Sequence, residues 1–286
     1  MKNGFKTPLK CGVTVIAVLL LSSVADNLQE NNKLLKFTVA VCLSAGALLP
    51  AVSTINACFD AVKSVGTFML SFIPIFAAVL FSSGKALTSA SFSSVMVVAV
   101  QTLNAFCSFA FIPLCSMQLS LGFSGSVSGD IKLSSVQNSL KKFATFGLSL
   151  VCTIFLTVLS VQTSINSPAD NLYSKTAKFL LGSAVPLVGS VVGDALNTVR
   201  GCITLLRSSV MIYGVIAAAL IVLPIITELL MWRLIFMVCG SVADIFDNNK
   251  ASELLKTVDN SMAMLLSALT LILVMFIISL TLVSVI

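Results

Sequence analysis

The sequence predicts an all-α fold: a polytopic helical membrane protein with two internal repeats, each a broken or short helical segment plus two transmembrane helices. Three observations carry that expectation. First, 57% of the residues are hydrophobic and only 10% charged, where an ordinary globular domain is about 25% charged. Too few charges are available to cover a water-facing exterior, and the mean hydropathy of +1.07 agrees, so lipid must solvate much of the surface. Second, the apolar residues gather into stretches approaching or exceeding the roughly 20 residues a spanning helix needs. Third, short landmarks recur in the same order in the two halves.

The composition also excludes function classes. The net charge of +6 arises from 17 basic and 11 acidic residues scattered along the chain. No basic run forms a nucleic-acid patch, and Lys and Arg are expected in loops and near lipid headgroups. There is no histidine, which removes His-based zinc sites, Ser-His-Asp triads and Cys-His pairs together. The 8 cysteines form no C-x-x-C pair and lie mostly in apolar stretches, where cysteine behaves as a small hydrophobe. No P-loop, dinucleotide fingerprint or metal-ligand cluster is present. Gly122–Ser126, "GFSGS", has the outline of a nucleophile elbow but no histidine to serve it. Paired aspartates within spans are absent too. No catalytic, cofactor-binding or metal residue is therefore assigned, no cofactor is expected, and the chain is not expected to be an enzyme.

Along the chain, the first apolar stretch runs from about Leu9 to Ala25, after Lys2, Lys6 and Lys10. Ser23-Val24-Ala25 before Asp26 has the small residues of a cleavage site, so a signal peptide and a retained anchor helix both stand. A span follows from about Leu34 to Ile55. Asn56 to Val65 carries Asp60 and Lys63 among apolar residues, as an interfacial helix would. Thr67 to Phe81 is short and interrupted by Pro74. Phe92 to about Leu121 is a long helix containing Pro113. A Gly/Ser-rich polar loop is expected over Gly122–Lys142, a clean span over Phe143–Ile165, and a polar connector over Asn166–Lys178. Phe179 to Gly193 is again short, interrupted by Gly182, Pro186 and Gly189. Val210 to about Trp232 spans, with Pro224 and Glu228 inside it. Asp244–Asp259 reads as a charged connector, and Ser261–Ile286 as the last span.

The recurring landmarks are "SFIP" at Ser71–Pro74 with "SAVP" at Ser183–Pro186, "GKAL" at Gly84–Leu87 with "GDAL" at Gly193–Leu196, and "SVM" at Ser94–Met96 with "SVM" at Ser209–Met211. Pro113 then matches Pro224, and "GSV" at Gly125–Val127 matches Gly240–Val242. All five offsets lie between 109 and 115 residues, which favours duplication. The expected organisation is residues 1–66 as N-terminal helices, 67–165 as membrane repeat 1 and 166–286 as membrane repeat 2. Re-entrant broken segments would make the repeats parallel, and spanning ones would make them inverted. Both topologies divide the basic residues almost evenly between the two sides, so the positive-inside rule does not choose.

Gly/Pro-interrupted segments at corresponding places in two halves point to a pathway or binding region. This makes Pro74, Gly84, Lys85, Gly182, Pro186, Gly189, Gly193 and Asp194 the candidate broken-helix residues. The bland alternative is a pair of interfacial helices with no pathway. Lys85 and Asp194 follow the landmark glycines in both halves and are placed to form an ion pair or line a polar path. Alternatively, each snorkels at an interface without meeting the other. Glu228 is the candidate intramembrane charge, set against ordinary placement near a helix end beside Arg233.

Leu156–Gly201 carries "SVQ" at Ser160–Gln162, "TAKF" at Thr176–Phe179 and "VPLVG" at Val185–Gly189. With "SFIPIF" at Ser71–Phe76 and "FIPL" at Phe111–Leu114, this region resembles the stage III sporulation protein AE family. The resemblance covers about Lys33 to Ile286; before that it rests on hydrophobicity alone. It implies a multi-pass membrane subunit of the endospore-formation channel or secretion-like complex that links mother cell and forespore and supports late forespore gene expression. The implied location is the cell membrane, and within it the mother-cell-derived outer forespore membrane. The implied partners are other membrane and ring-forming subunits of that complex, its ATPase and a forespore protein across the gap, in a hetero-oligomer without nucleic acid. The family supplies no established catalytic residues. It usually has a polar extracytoplasmic region before the membrane part, which this sequence lacks: either the start is truncated or the lineage has a shorter version. A self-sufficient small-solute or ion transporter and a membrane scaffold without a pore stay open as alternatives.

Overall fold

The computed structural model describes residues 6–28, 33–128, 134–184, 189–246 and 248–285. Among the described residues there is no strand. The helices are α1 (Lys6–Leu28), α2 (Lys33–Ser82), α3 (Ala86–Phe106), a π-helical turn (Cys107–Phe111), α4 (Ile112–Ser128), α5 (Ser134–Ala184), α6 (Gly189–Ile245) and α7 (Asn249–Val285). Five stretches are long and apolar enough to cross a bilayer: Ser44–Ser82, Ala86–Gly125, Ser135–Leu172, Gly201–Ile245 and Asn249–Val283. Pro8–Leu21 in α1 is apolar but shorter. The chain is thus an all-helical, multi-pass membrane protein, as the composition predicts.

Four local expectations are corrected. The span at Leu34–Ile55, the interfacial helix at Asn56–Val65 and the broken segment at Thr67–Phe81 are one helix, α2. Asp60 and Lys63 point outward, while Cys58, Ala61, Val62, Val65, Met69, Phe72, Ile73 and Phe76 continue one buried row. A helical row of apolar residues outweighs two charges that can reach outward. Pro74 lies on the exposed side of the same unbroken helix. The loop expected over Gly122–Lys142 is mostly helix, with α4 running to Ser128 and α5 starting at Ser134. Gly122 is a packing position, since a Cβ there would lie 2.7 Å from Thr257. The connector Asn166–Lys178 lies inside α5, Pro168 included. Asp244–Asp259 is mostly helix too, because Ala251, Leu254, Leu255 and Val258 at the start of α7 are buried at helical spacing.

The structure also places the landmarks in different settings. "SFIP" lies mid-helix in α2, whereas Ser183 and Ala184 end α5, and Pro186 falls outside the described residues.

Pro113 leaves its mark on α3 and α4. Proline has no N–H and its ring crowds the carbonyl four residues back, here Phe109. The ladder widens into the π turn over Cys107–Phe111 just before it, one of the usual responses to such a break. Leu103, Cys107, Phe111 and Cys115 are all buried, a spacing of four that would drift about 40° per step around an α-helix. The wider turn takes up part of that drift and keeps the row facing inward.

The helices contribute to two compact units. Unit 1 comprises Met1–Val62, Ala105–Ser149 and Val222–Thr270; unit 2 comprises Lys63–Asn104, Leu150–Ile221 and Leu271–Ile286. In unit 1, α1 meets α6, where a Cβ on Gly12 would lie 2.7 Å from Ile235. The Cys11 thiol donates to the Gly46 carbonyl at 3.3 Å, joining α1 to α2. In unit 2 the core is aromatic. Phe72 stacks on Phe68 and Phe76 and meets Phe276 edge-on, and Phe76 meets Phe92 edge-on at 5.3 Å. Such pairs add about 0.5–1.5 kcal/mol each beyond their burial.

Gly214 of α6 lies directly under the Phe72 ring, so a Cβ there would collide with a side chain pinned by three other rings. Gly201, on the same helix, has open space at its Cβ position. Gly214→Leu should therefore destabilise the detergent-solubilised protein by about 1–3 kcal/mol, the usual range for overpacking. Gly201→Leu should be close to neutral, and thermal unfolding of both variants checks the contrast.

Candidate functional site

Charged side chains are scarce in these helices, so those buried among them are the candidates for function. In unit 2 they gather where α2 ends and α3 begins. Leu80 and Phe81 present carbonyls that no further helical turn will satisfy. The Lys85 amide donates to the Leu80 carbonyl at 3.2 Å and the Gly84 amide to that of Phe81 at 2.9 Å. This is the Schellman closure, and it needs a left-handed residue at Gly84, whose φ is +80°.

The other side of the turn has the opposite problem, unsatisfied amide donors at the start of α3. Lys85 occupies the capping position, as the Ser89 amide donates to its carbonyl at 2.9 Å, but an ammonium cannot accept a hydrogen bond. The cap comes from α5 instead. Asp170 accepts from the Leu87 amide at 3.0 Å, and from the amide and hydroxyl of Thr88 at 2.9 and 2.6 Å. Asn166, one turn earlier, donates to the Ser91 hydroxyl at 2.5 Å. Asp170 is 2% exposed, and its carboxyl oxygens accept these bonds at the N-terminal end of α3.

Two cations border this cap. Arg207 of α6 is buried and donates to the Val283 carbonyl of α7 at 2.6 Å. Lys85 is half-buried, and its ammonium is pushed below the ordinary lysine range, by burial first and by Arg207 second, with Asp170 opposing.

In unit 1 the polar contacts tie helix pairs together. Arg233 of α6 pairs with Asp259 of α7 at 3.1 Å. Lys141 of α5 donates to Asn260 at 2.8 Å, and Thr257 to Gln137 at 2.8 Å. Lys256 and Asp244 form an exposed pair at 2.9 Å. Glu228, half-buried on α6, lies within electrostatic reach of Cys58 on α2. Its sequence neighbour Arg233 is committed to Asp259, so Glu228 has no ion-pair partner among the described residues.

Lys85 is thus brought to Asp170 and Arg207, and Gly84 makes the turn beside it. Gly182 is in α5, and Gly189, Gly193 and Asp194 are at the start of α6. The side chain of Asp194, and with it the proposed pairing to Lys85, lies outside the described residues, as does Pro186. Sequence reasoning placed Asp170 in a connector and passed over Arg207. A lone aspartate one turn after an asparagine, inside what is a continuous helix, is the signal that identifies a side chain able to cap a neighbour. Among the described residues no three His, Cys, Asp or Glu side chains group as metal ligands do.

The model of the family described as Stage III sporulation protein AE matches residues 3–286. The chain belongs to that family. Stage III sporulation protein AE of Bacillus subtilis (strain 168) is 28% identical over 228 residues, which is 79% of this chain and 57% of that relative. The chain therefore spans a little over half the length of the curated relative it matches. No solved structure matches it. Membership supports a role for the chain in sporulation.

Two outcomes follow from the cap. Asp170→Ala strips three hydrogen bonds from a buried helix start and should destabilise by about 1–3 kcal/mol, while Asp170→Asn, which keeps one acceptor, should lose less. Denaturation in detergent of both variants checks the order. For Lys85 the sign follows from its lowered affinity for a proton in the fold. Between that lowered value and the ordinary 10.5, the unfolded chain binds more protons, so stability should rise with pH across this window. Lys85→Met should flatten that rise, measured as the shift in unfolding midpoint between neutral pH and pH 10.5.

Proposed function

We propose that this chain is a multi-pass subunit of the endospore-formation channel complex joining mother cell and forespore, where it supports late forespore gene expression. The observation that carries the reading is family membership over residues 3–286, in a chain with five helices able to span a bilayer. Its place would be the mother-cell-derived outer forespore membrane. Its partners would be the complex's other membrane and ring-forming subunits and its ATPase. The chain acts as conduit or platform and not as an enzyme; the absence of histidine and of paired intramembrane aspartates supports that.

The helices suit such a part. Each candidate span, 35 to 45 residues long, exceeds the roughly 20 residues a bilayer core requires, leaving helix for contacts beyond the hydrocarbon. A self-sufficient transporter is the second reading, favoured by Glu228, a carboxylate without an ion-pair partner among the described residues.

Deleting the gene in its endospore-forming host should leave vegetative growth intact, stop sporulation after engulfment and silence a late forespore reporter. A fluorescent fusion should collect at the engulfing membrane. Normal yields of heat-resistant spores from the deletion strain would end the proposal. Solute flux by the purified chain alone in liposomes would move it to the transporter reading.

A further inference from the structure

Unit 1 holds a polar constellation that the channel reading does not use. Gln118 of α4 is 1% exposed, and Trp232 of α6 is 3% exposed. Both polar atoms of the Gln118 amide and the Trp232 indole nitrogen are buried without a hydrogen-bond partner among the described residues. Leaving such groups unsatisfied is strongly disfavoured, more so in an apolar surround.

Cys58 of α2 lies within electrostatic reach of Cys115 on α4 and of Glu228 on α6. Gln118 is three residues from Cys115, and Trp232 is four from Glu228, so each orphaned group sits one turn from one of these residues, on a neighbouring face. Cys58 and Cys115 are themselves at most 1% exposed.

We propose that Gln118, Trp232 and Glu228 line an internal hydration site of unit 1, in which water bridges α4 and α6 beside the thiols of Cys58 and Cys115. The donor and acceptor inventory fits water: the Gln118 amide donates two bonds and accepts one, the Trp232 indole donates one, and the Glu228 carboxylate accepts. Buried water commonly makes about three such bonds to groups that lack protein partners. Apolar occupants match none of these groups. A hydrated environment also explains how Glu228 keeps a place in a spanning helix with no ion-pair partner among the described residues, and it puts exchangeable protons beside that carboxylate.

Three of the four buried thiols of unit 1 give an internal comparison. Cys58, Cys115 and Cys239 are equally inaccessible from outside, at 1%, 0% and 1% exposure, but Cys239 faces α1 and donates to the Gly12 carbonyl at 3.8 Å. Radiolytic hydroxyl-radical footprinting of the whole chain in lipid nanodiscs generates radicals from water in place, so it oxidises buried groups only where water adjoins them. Cys58 and Cys115 should be labelled several-fold faster than Cys239. Gln118→Leu should bring Cys115 down to the Cys239 rate. Labelling of all three thiols at one slow rate in the unmodified chain would overturn the proposal, whatever the folding of the variant. Undiminished labelling of Cys115 in folded Gln118→Leu would overturn the role of Gln118.

Discussion

An amide without a hydrogen-bond partner is tolerable in water and barely so among apolar helices. α3 is preceded at its capping position by Lys85, whose side chain has no acceptor to offer the helix. Asp170, contributed by α5 from more than eighty residues further along the chain, accepts from that exposed start and so ties the α2–α3 turn to α5. The turn in turn lets α2 and α3 lie against one another, where Gly66 leaves room for the Asn104 side chain, 2.7 Å from where a Cβ would be. It also lets Phe76 meet Phe92. The aromatic core of unit 2 thus depends on a single carboxylate being in the right helix at the right turn.

The same constraint accounts for how the remaining polar groups are used. Serine and threonine hydroxyls along the helices mostly return to a carbonyl three or four residues back, as Thr54 does to Pro50 and Thr163 to Leu159, which satisfies them without a neighbour. Longer polar side chains act between helices: Arg207 on a carbonyl of α7, Arg233 on Asp259, Lys141 on Asn260. Gln118 and Trp232, with Gln162 and Ser252, keep buried polar atoms outside this pattern of pairing among the described residues, and in unit 1 Gln118 and Trp232 lie one turn from Cys115 and Glu228.

Burial is unevenly shared. α7 is half buried across its apolar window, whereas α6 is 17% buried and exposes Ile216, Leu220, Leu223, Leu230 and Leu234 along one side. Both are equally apolar, so hydropathy alone cannot rank them. Small residues, which permit close approach between helices in a membrane, are buried on both, Ser261, Ala268 and Ser279 on α7 and Gly214, Ala218 and Ala243 on α6; what differs is how much of each helix surface meets other helices.

The sequence by itself determined that the chain is helical and lives in lipid, because composition and the length of apolar stretches act independently of how helices meet. It located Gly84 and Lys85 as special, since a glycine and a charge at the end of an apolar run are local signals, and its motifs carried the family. It misplaced the interruptions: Asp60 and Lys63 read as a separate interfacial helix and Asn166 and Asp170 as a connector, because a linear reading treats every polar cluster as a place where the helix leaves the membrane. Only the tertiary structure decided that these residues belong to the continuous helices α2 and α5, with Asp60 and Lys63 turned outward and Asp170 turned onto α3. It alone showed that Arg233 belongs to Asp259 rather than to Glu228. Partners across helices lie tens of residues apart in sequence, and no local period or motif encodes which of them the folded chain brings within hydrogen-bonding distance.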